Sequence, residues 1–195
     1  MSKTDLTVKS RILAAAKSEL ALHGMAGARV ARIAARAHTS KERIYAYFRT
    51  KADLFEEVYL LRFDNLARVT LIGEDGLPEF VGKLFDYYTA EPEDLRLGRW
   101  MGLEDSITQP RLLEANVQMF RRIADDITKL KGRGEVEPAW PPFELFVMLV
   151  NIAVSWPTAP DVVRRLADFG GEPLDLATHR AFAIEAARRL CEPRD

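Results

Sequence analysis

The stretch Thr39-Ser40-Lys41-Glu42-Arg43-Ile44-Tyr45-Ala46-Tyr47-Phe48-Arg49-Thr50-Lys51-Ala52-Asp53-Leu54-Phe55 decides how this chain is read. Ser40 can accept hydrogen bonds from the free N–H groups of the turn that follows it, so a short helix is expected to start there. Ile44 and Phe48 lie four residues apart and share the only large apolar face of that helix, which must dock on the protein. Lys41, Arg43, Tyr45 and Tyr47 occupy the rest of its surface, and all can donate to phosphates or base edges. Tyr45 and Tyr47 sit about 200 degrees apart around a helix, so both cannot be core and at least one should face DNA. Thr50 and Asp53 match a capping box before Leu54, Phe55 and Val58, predicting a longer helix immediately afterwards.

Upstream, Val8, Ile12, Ala16 and Leu20 recur every four residues and predict a helix from about Asp5 to His23, with Gly24 as its C′ residue. Val30, Ile33, Ala34 and Ala37 form the apolar face of a second helix, from Arg29 to Ala37, with Arg29, Arg32 and Arg36 pointing elsewhere. Only His38 and Thr39 separate it from the Ser40 helix, a gap that makes the pair a helix-turn-helix. In that motif the second helix lies in the major groove while the first crosses the backbone.

Charge divides the chain at the same place. Residues 1 to 55 carry 11 Lys/Arg against 4 Asp/Glu, whereas the remaining 140 carry 17 against 25, although the whole chain nets only −1. A basic head on an acidic body points to a polyanion-binding head; a merely solvated charged surface is the alternative. The 195 residues, 48% hydrophobic, are enough for a large core. The single cysteine, Cys191, excludes an internal disulfide framework and fits a reducing compartment. No secretory signal is visible, so a cytoplasmic location is expected.

The segment from Ile33-Ala34-Ala35-Arg36-Ala37 through Ser40, Tyr45-Ala46-Tyr47-Phe48 and Lys51-Ala52-Asp53-Leu54-Phe55 resembles the tetracycline-repressor (TetR) family over roughly residues 5 to 60. The resemblance implies an all-α protein: a three-helix helix-turn-helix DNA-binding domain over residues 1–49, and a larger helical effector-binding and dimerisation domain over 50–195. It implies a transcription regulator, usually a repressor, that is a homodimer on a double-stranded, pseudo-palindromic operator and is released by a small-molecule effector. Carried across by position, Lys41, Glu42 and Arg43 fall where the family contacts bases. Tyr45, Tyr47 and Lys51 fall where it contacts phosphates, with Thr39 and Ser40 beside them. A helical protein that binds DNA but answers to a protein partner, or to no ligand, is the alternative.

The chain departs from the family pattern in three places. His38 and Thr39 stand where Gly and a small aliphatic residue are usual, and His is among the residues that tolerate positive φ. Ala28 and Arg29 replace a usual Thr, passing the second helix's cap to Gly27 or water and its phosphate contact to Arg29. Glu42 replaces a usual Gly; it can accept from cytosine N4, or simply complement the helix dipole.

A connecting helix is expected from Thr50 to about Ile72. Pro78, Pro92, Pro110, Pro142 and Pro160, each read as an N1 residue, then mark helices near 78–90, 92–105, 110–131, 142–156 and 159–169, with a last one near 174–191. Gly98 and Gly102 imply close approach of another backbone, or room for a ligand beside Trp100 and Met101. Trp140, in the Gly- and Pro-rich loop 132–141, is either pinned to the body or a pocket lid. Phe143 to Trp156 is too short to cross a membrane and apolar all round, so it needs covering on every side. With the alanine-rich last helix, it supplies the expected homodimer contact, 142–156 with 174–191. Phe85, Tyr88, Trp100, Met101, Met119, Phe120, Phe143 and Phe146 either form plain core or line an effector pocket. Asn116 is a further pocket candidate because a buried amide needs a partner.

No phosphate-cradling glycine loop, nucleophile elbow or HExxH occurs, and His23, His38 and His179 are scattered. No enzyme, cofactor or metal is therefore expected.

Overall fold

The computed structural model describes residues 3–69, 71–73, 75–104, 109–169 and 175–193. Among these every regular element is helical: α1 Lys3–Gly27, α2 Val30–Arg36, α3 Lys41–Tyr47, α4 Lys51–Val69, α5 Gly76–Ala90, α6 Pro92–Leu103, α7 Pro110–Gly132, α8 Pro142–Val154, α9 Asp161–Phe169 and α10 Leu176–Cys191. The helices form two compact units, one of residues 1–65 with 93–116, the other of residues 66–92 with 117–195.

In the first unit the apolar stripe of α1 is buried through Ile12, Ala16 and Leu20, and Leu54, Phe55, Val58 and Tyr59 of α4 are buried with it. Each of the large aliphatic and Phe side chains among them contributes about 1.5–3 kcal/mol by leaving water. Gly24 takes φ 64° inside the span of α1, so the helix proper ends there and one further turn follows to Gly27. A Cβ at Gly24 would stand 2.5 Å from Glu104 Oε1 and 2.8 Å from the Trp100 ring, so glycine is required twice over. Gly98 on α6 is explained by a side chain rather than by another backbone: a Cβ there would meet Arg62 Nη2 of α4 at 2.6 Å. Gly102 has open space.

In the second unit α5 packs on α8 and α10, and α8 on α10. Leu145, Phe146, Leu149 and Ala153 of α8 face that core. Phe143 and Val147, one stripe further round, remain exposed, as an apolar helix awaiting a second cover would leave them. Trp140 is pinned: its indole N–H donates to the Leu190 carbonyl at 3.1 Å, and its own carbonyl accepts from Lys131 at 2.8 Å.

Several boundaries differ from expectation. Pro92, Pro110 and Pro142 open their helices, but Pro78 is the third residue of α5 and Pro160 precedes α9. Asp75 and Gly76 supply the turn ahead of α5, with Gly76 at φ 75°. α4 stops at Val69 rather than near Ile72, and α8 at Val154. The expected ends at 105 and 174 lie outside the described residues.

Candidate nucleic-acid interface

The expected local chemistry of the Ser40 helix is present atom by atom. His38 takes φ 50° in the turn between α2 and α3. Ser40 Oγ then accepts the Arg43 N–H at 3.2 Å. Ile44 and Phe48 are buried, anchoring α3 to the rest of the first unit. Behind it the capping box closes in both directions: Asp53 N–H donates to Thr50 Oγ1 at 3.0 Å, and Thr50 N–H to the Asp53 carboxylate at 3.1 Å. Such caps are each worth about 1 kcal/mol.

With Ile44 and Phe48 turned inward, Lys41, Glu42, Arg43 and Tyr45 are turned to solvent, Tyr45 at 46% exposure. Tyr47 is half-buried; its hydroxyl lies 3.3 Å from Arg43 Nη2, and its ring lies under the same guanidinium. The Glu42 carboxyl is held below the ordinary carboxylate range by its own backbone N–H and by the Ser40 hydroxyl. In the free protein that carboxylate therefore serves the start of α3. Arg29 and Ser40 are exposed and Thr39 is half-buried.

Lys51 has a role that sequence reasoning missed. Its ammonium donates to the Met25 carbonyl at 2.7 Å and lies over the Phe55 ring. One of three N–H donors is thus spent within the protein, leaving others for a phosphate. The far side of the same residue is also held. Glu104 accepts the Met25 N–H through both carboxylate oxygens at 3.0 Å, while the Trp100 indole N–H donates to the Ala21 carbonyl at 3.3 Å. Trp100 and Glu104 are four residues apart, a same-face pair that spacing alone could have flagged.

The N-cap of α2 is Arg29 rather than Gly27, and its backbone N–H is held from α1. Glu19 of α1 accepts the Arg29 backbone N–H at 2.9 Å and Arg32 Nε at 2.7 Å. Burial works against the Glu19 charge, but the bonds from Arg32 and then Arg29 outweigh it and hold the carboxyl below its ordinary range. Arg32, though exposed, is thereby committed to the protein; Arg29, Arg36, Lys41 and Arg43 are exposed as well.

The residues considered for an effector pocket are divided between the units. Trp100 and Met101 belong to the first, where Trp100 serves the corner just described. Asn116 is satisfied within its own helix, its amide donating to the Leu112 carbonyl at 2.8 Å, so it requires no ligand. Phe85, Tyr88, Met119, Phe120, Phe143 and Phe146 belong to the second. There Phe120 packs edge-on against Phe143 and Phe146, with centroids 5.5 and 5.4 Å apart. Phe85 and Tyr88 are buried and Phe143 is 53% exposed. Cys191 is buried, which pushes its thiol up to about 11 and keeps it unreactive at neutral pH. Among the described residues no group of metal-ligating side chains occurs and no helix is long and apolar enough to cross a membrane.

A basic recognition helix, capped by Ser40, docked by Ile44 and Phe48 and set beside α2 across a tight turn, defines a helix-turn-helix DNA-binding protein. Residues 12–58 match the family of bacterial regulatory proteins, tetR family, and residues 76–189 match the tetracyclin repressor-like C-terminal domain. The chain belongs to the TetR family of transcription regulators and is not an enzyme. It is 35% identical over 187 residues to the HTH-type transcriptional repressor SCO4008 of Streptomyces coelicolor, covering 94% of this chain and 95% of that one. A candidate transcriptional regulator of known structure, SCO4942 from the same organism, is also 35% identical; it superposes with a TM-score of 0.83 over 94% of this chain and 98% of that one. A TetR-family regulator from Marinobacter aquaeolei VT8 shares the fold over the full length of both chains, with a TM-score of 0.76 at 21% identity.

Proposed function

We propose that this protein is a cytoplasmic repressor that binds a pseudo-palindromic DNA operator as a homodimer and leaves it when a small molecule binds the body. The observation that carries the reading is the division of α3 into a buried face, Ile44 with Phe48, and an exposed donor face, Lys41, Arg43 and Tyr45. Residues 1–49 do the reading, and 50–195 hold the effector and the second subunit. Lys41 and Arg43 contact bases, with Glu42 accepting from a cytosine amine if it leaves its cap. Arg29, Tyr45, Tyr47 and Lys51 contact phosphates, and Thr39 and Ser40 approach the backbone at the start of α3.

Dimerisation is supported by the exposed apolar side chains of α8 and α10: Phe143, Val147 and Phe182. A second copy is a natural cover for them, and two copies explain two half-sites. The cluster of Phe120, Phe143 and Phe146 is the part of the second unit best suited to an apolar effector. The relative named as a repressor supports the sign of regulation.

Selection from random duplexes tests the operator reading. The expected motif has dyad symmetry, with half-sites one helical turn or a multiple apart, and two or more chains bind per duplex. A lone asymmetric site bound by one chain overturns it. For release, a compound library scored by operator anisotropy should yield a releasing compound whose effect is lost in Phe120→Ala. Control by a protein partner, or by nothing, is the conclusion if no compound releases.

A further inference from the structure

Within the first unit, α1 and α4 leave between them a cavity of about 450 Å³ with no assigned role. That volume lies within the range of small-molecule sites. Its apolar lining is Leu13, Ala14, Val58 and Leu61, and the charged groups around it are Lys9, Lys17, Arg62, Glu57 and Asp94.

The two acids are already committed. Asp94 is 1% exposed and pairs with Lys17 Nζ at 2.8 Å. Glu57 lies 2.9 Å from Arg111 and 3.7 Å from Lys9. Arg62 is itself buried, with Nε donating to the Asp94 carbonyl at 2.9 Å. Three cations therefore face two carboxylates; Arg111, outside the lining, also pairs with Glu56 at 3.1 Å and so adds no net charge. The excess is positive, and partly enclosed apolar walls strengthen its field. A ligand cation would meet acids that have partners; a ligand anion would meet ammonium groups with more than one N–H each.

We propose that this cavity binds a small organic anion with an apolar body, its charged group near Lys9 and Lys17 and its body against Leu13, Val58 and Leu61. The site does not belong to the second unit, which holds the aromatic cluster. It lies instead in the unit that carries the recognition helix.

Anilinonaphthalene sulfonate is a suitable probe because it fluoresces in apolar surroundings and carries one negative charge. Its uncharged counterpart, phenylnaphthylamine, has the same rings. Titration of the full chain should show saturable sulfonate binding about tenfold tighter than that of the neutral compound. Leu61 is 44% exposed, so Leu61→Glu is tolerable on folding grounds, and it places a like charge in the lining. It should weaken the sulfonate about tenfold or more. Lys9→Gln should weaken it about threefold, and Leu113→Glu, an exposed control on α7, should leave it unchanged.

Binding that survives Leu61→Glu is binding elsewhere, such as the apolar α8 and α10 faces, and overturns the proposal. So does a neutral compound that binds equally well. The probe should next be added to the operator complex. Binding at this cavity without operator release keeps the site and removes it from regulation, while the effector reading of the second unit stands or falls on its own library test.

Discussion

Glu104 grips the backbone N–H of Met25 with both carboxylate oxygens, each at 3.0 Å, just beyond the positive-φ Gly24. Lys51 holds the carbonyl of the same residue from the other side. The corner between α1 and α2 is thus fixed by Lys51 of α4 and by Glu104, just past the end of α6, and the placement of α2 and α3 depends on it. Removing the acceptor in Glu104→Ala should lower stability by about 1–2 kcal/mol, since a charged acceptor is lost from a half-buried N–H. Gly24→Ala should cost as much or more, combining positive-φ strain with a 2.5 Å approach to Glu104. Gly132→Ala, in open space, should be neutral or slightly stabilising. Thermal melts followed by circular dichroism will rank the three; equal midpoints for Gly24→Ala and Gly132→Ala would contradict the corner's role.

Glu19 predicts a specific acid sensitivity. Its carboxyl is held below the ordinary 4.5 in the folded chain. In the unfolded chain it takes up a proton near 4.5, so its contribution is fully present above that pH. The contribution is lost as pH falls through the lower folded value. Glu19→Gln should therefore destabilise most at neutral pH, and the difference from the parent should shrink on acidification. Urea midpoints measured from about pH 6 down to about pH 3 will show it; a constant offset would mean that the charge is not what matters.

Lys51 can be separated into its two roles by salt. If it also contacts a phosphate, Lys51→Ala should reduce the log–log salt slope of operator binding by about 1. Glu104→Ala loosens the same Met25 corner and should weaken binding without changing the slope. Tyr47→Phe should weaken operator and random DNA alike and release its hold on Arg43. Arg43→Gln should shift sequence preference, which repeated selection from random duplexes will reveal. An unchanged motif would remove Arg43 from base reading.

The exposed apolar side chains of α8 and α10 make a prediction about assembly. Phe182 is 58% exposed on α10, so Phe182→Glu should leave the monomer's fold intact while abolishing the proposed dimer. Sedimentation velocity should then give one species of about 22 kDa in place of the twofold mass expected of the parent. Operator affinity should fall steeply, because one half-site alone cannot supply the binding energy of two. A Phe182→Glu dimer would place the contact elsewhere.

Sequence alone determined what short-range geometry determines. The four-residue recurrence of α1, the Ser40 cap, the Thr50–Asp53 box and the inward turn of Ile44 and Phe48 each join residues no more than four apart. For such neighbours helix pitch and N-terminal hydrogen bonding leave few choices. Tertiary structure alone decided that Glu19 caps α2 from ten residues away, that Arg62 fills the space beside Gly98, and that Glu104 reaches Met25 across 79 residues. No periodicity joins those partners: each pairing exists only because packed helices bring distant backbone amides and buried charges within hydrogen-bonding range. Asn116, which sequence marked for a ligand, bonds the carbonyl four residues back on its own helix, again a short-range contact. Packing also gave Lys51, read as a phosphate contact, its second task of holding the corner from which the recognition helix is set.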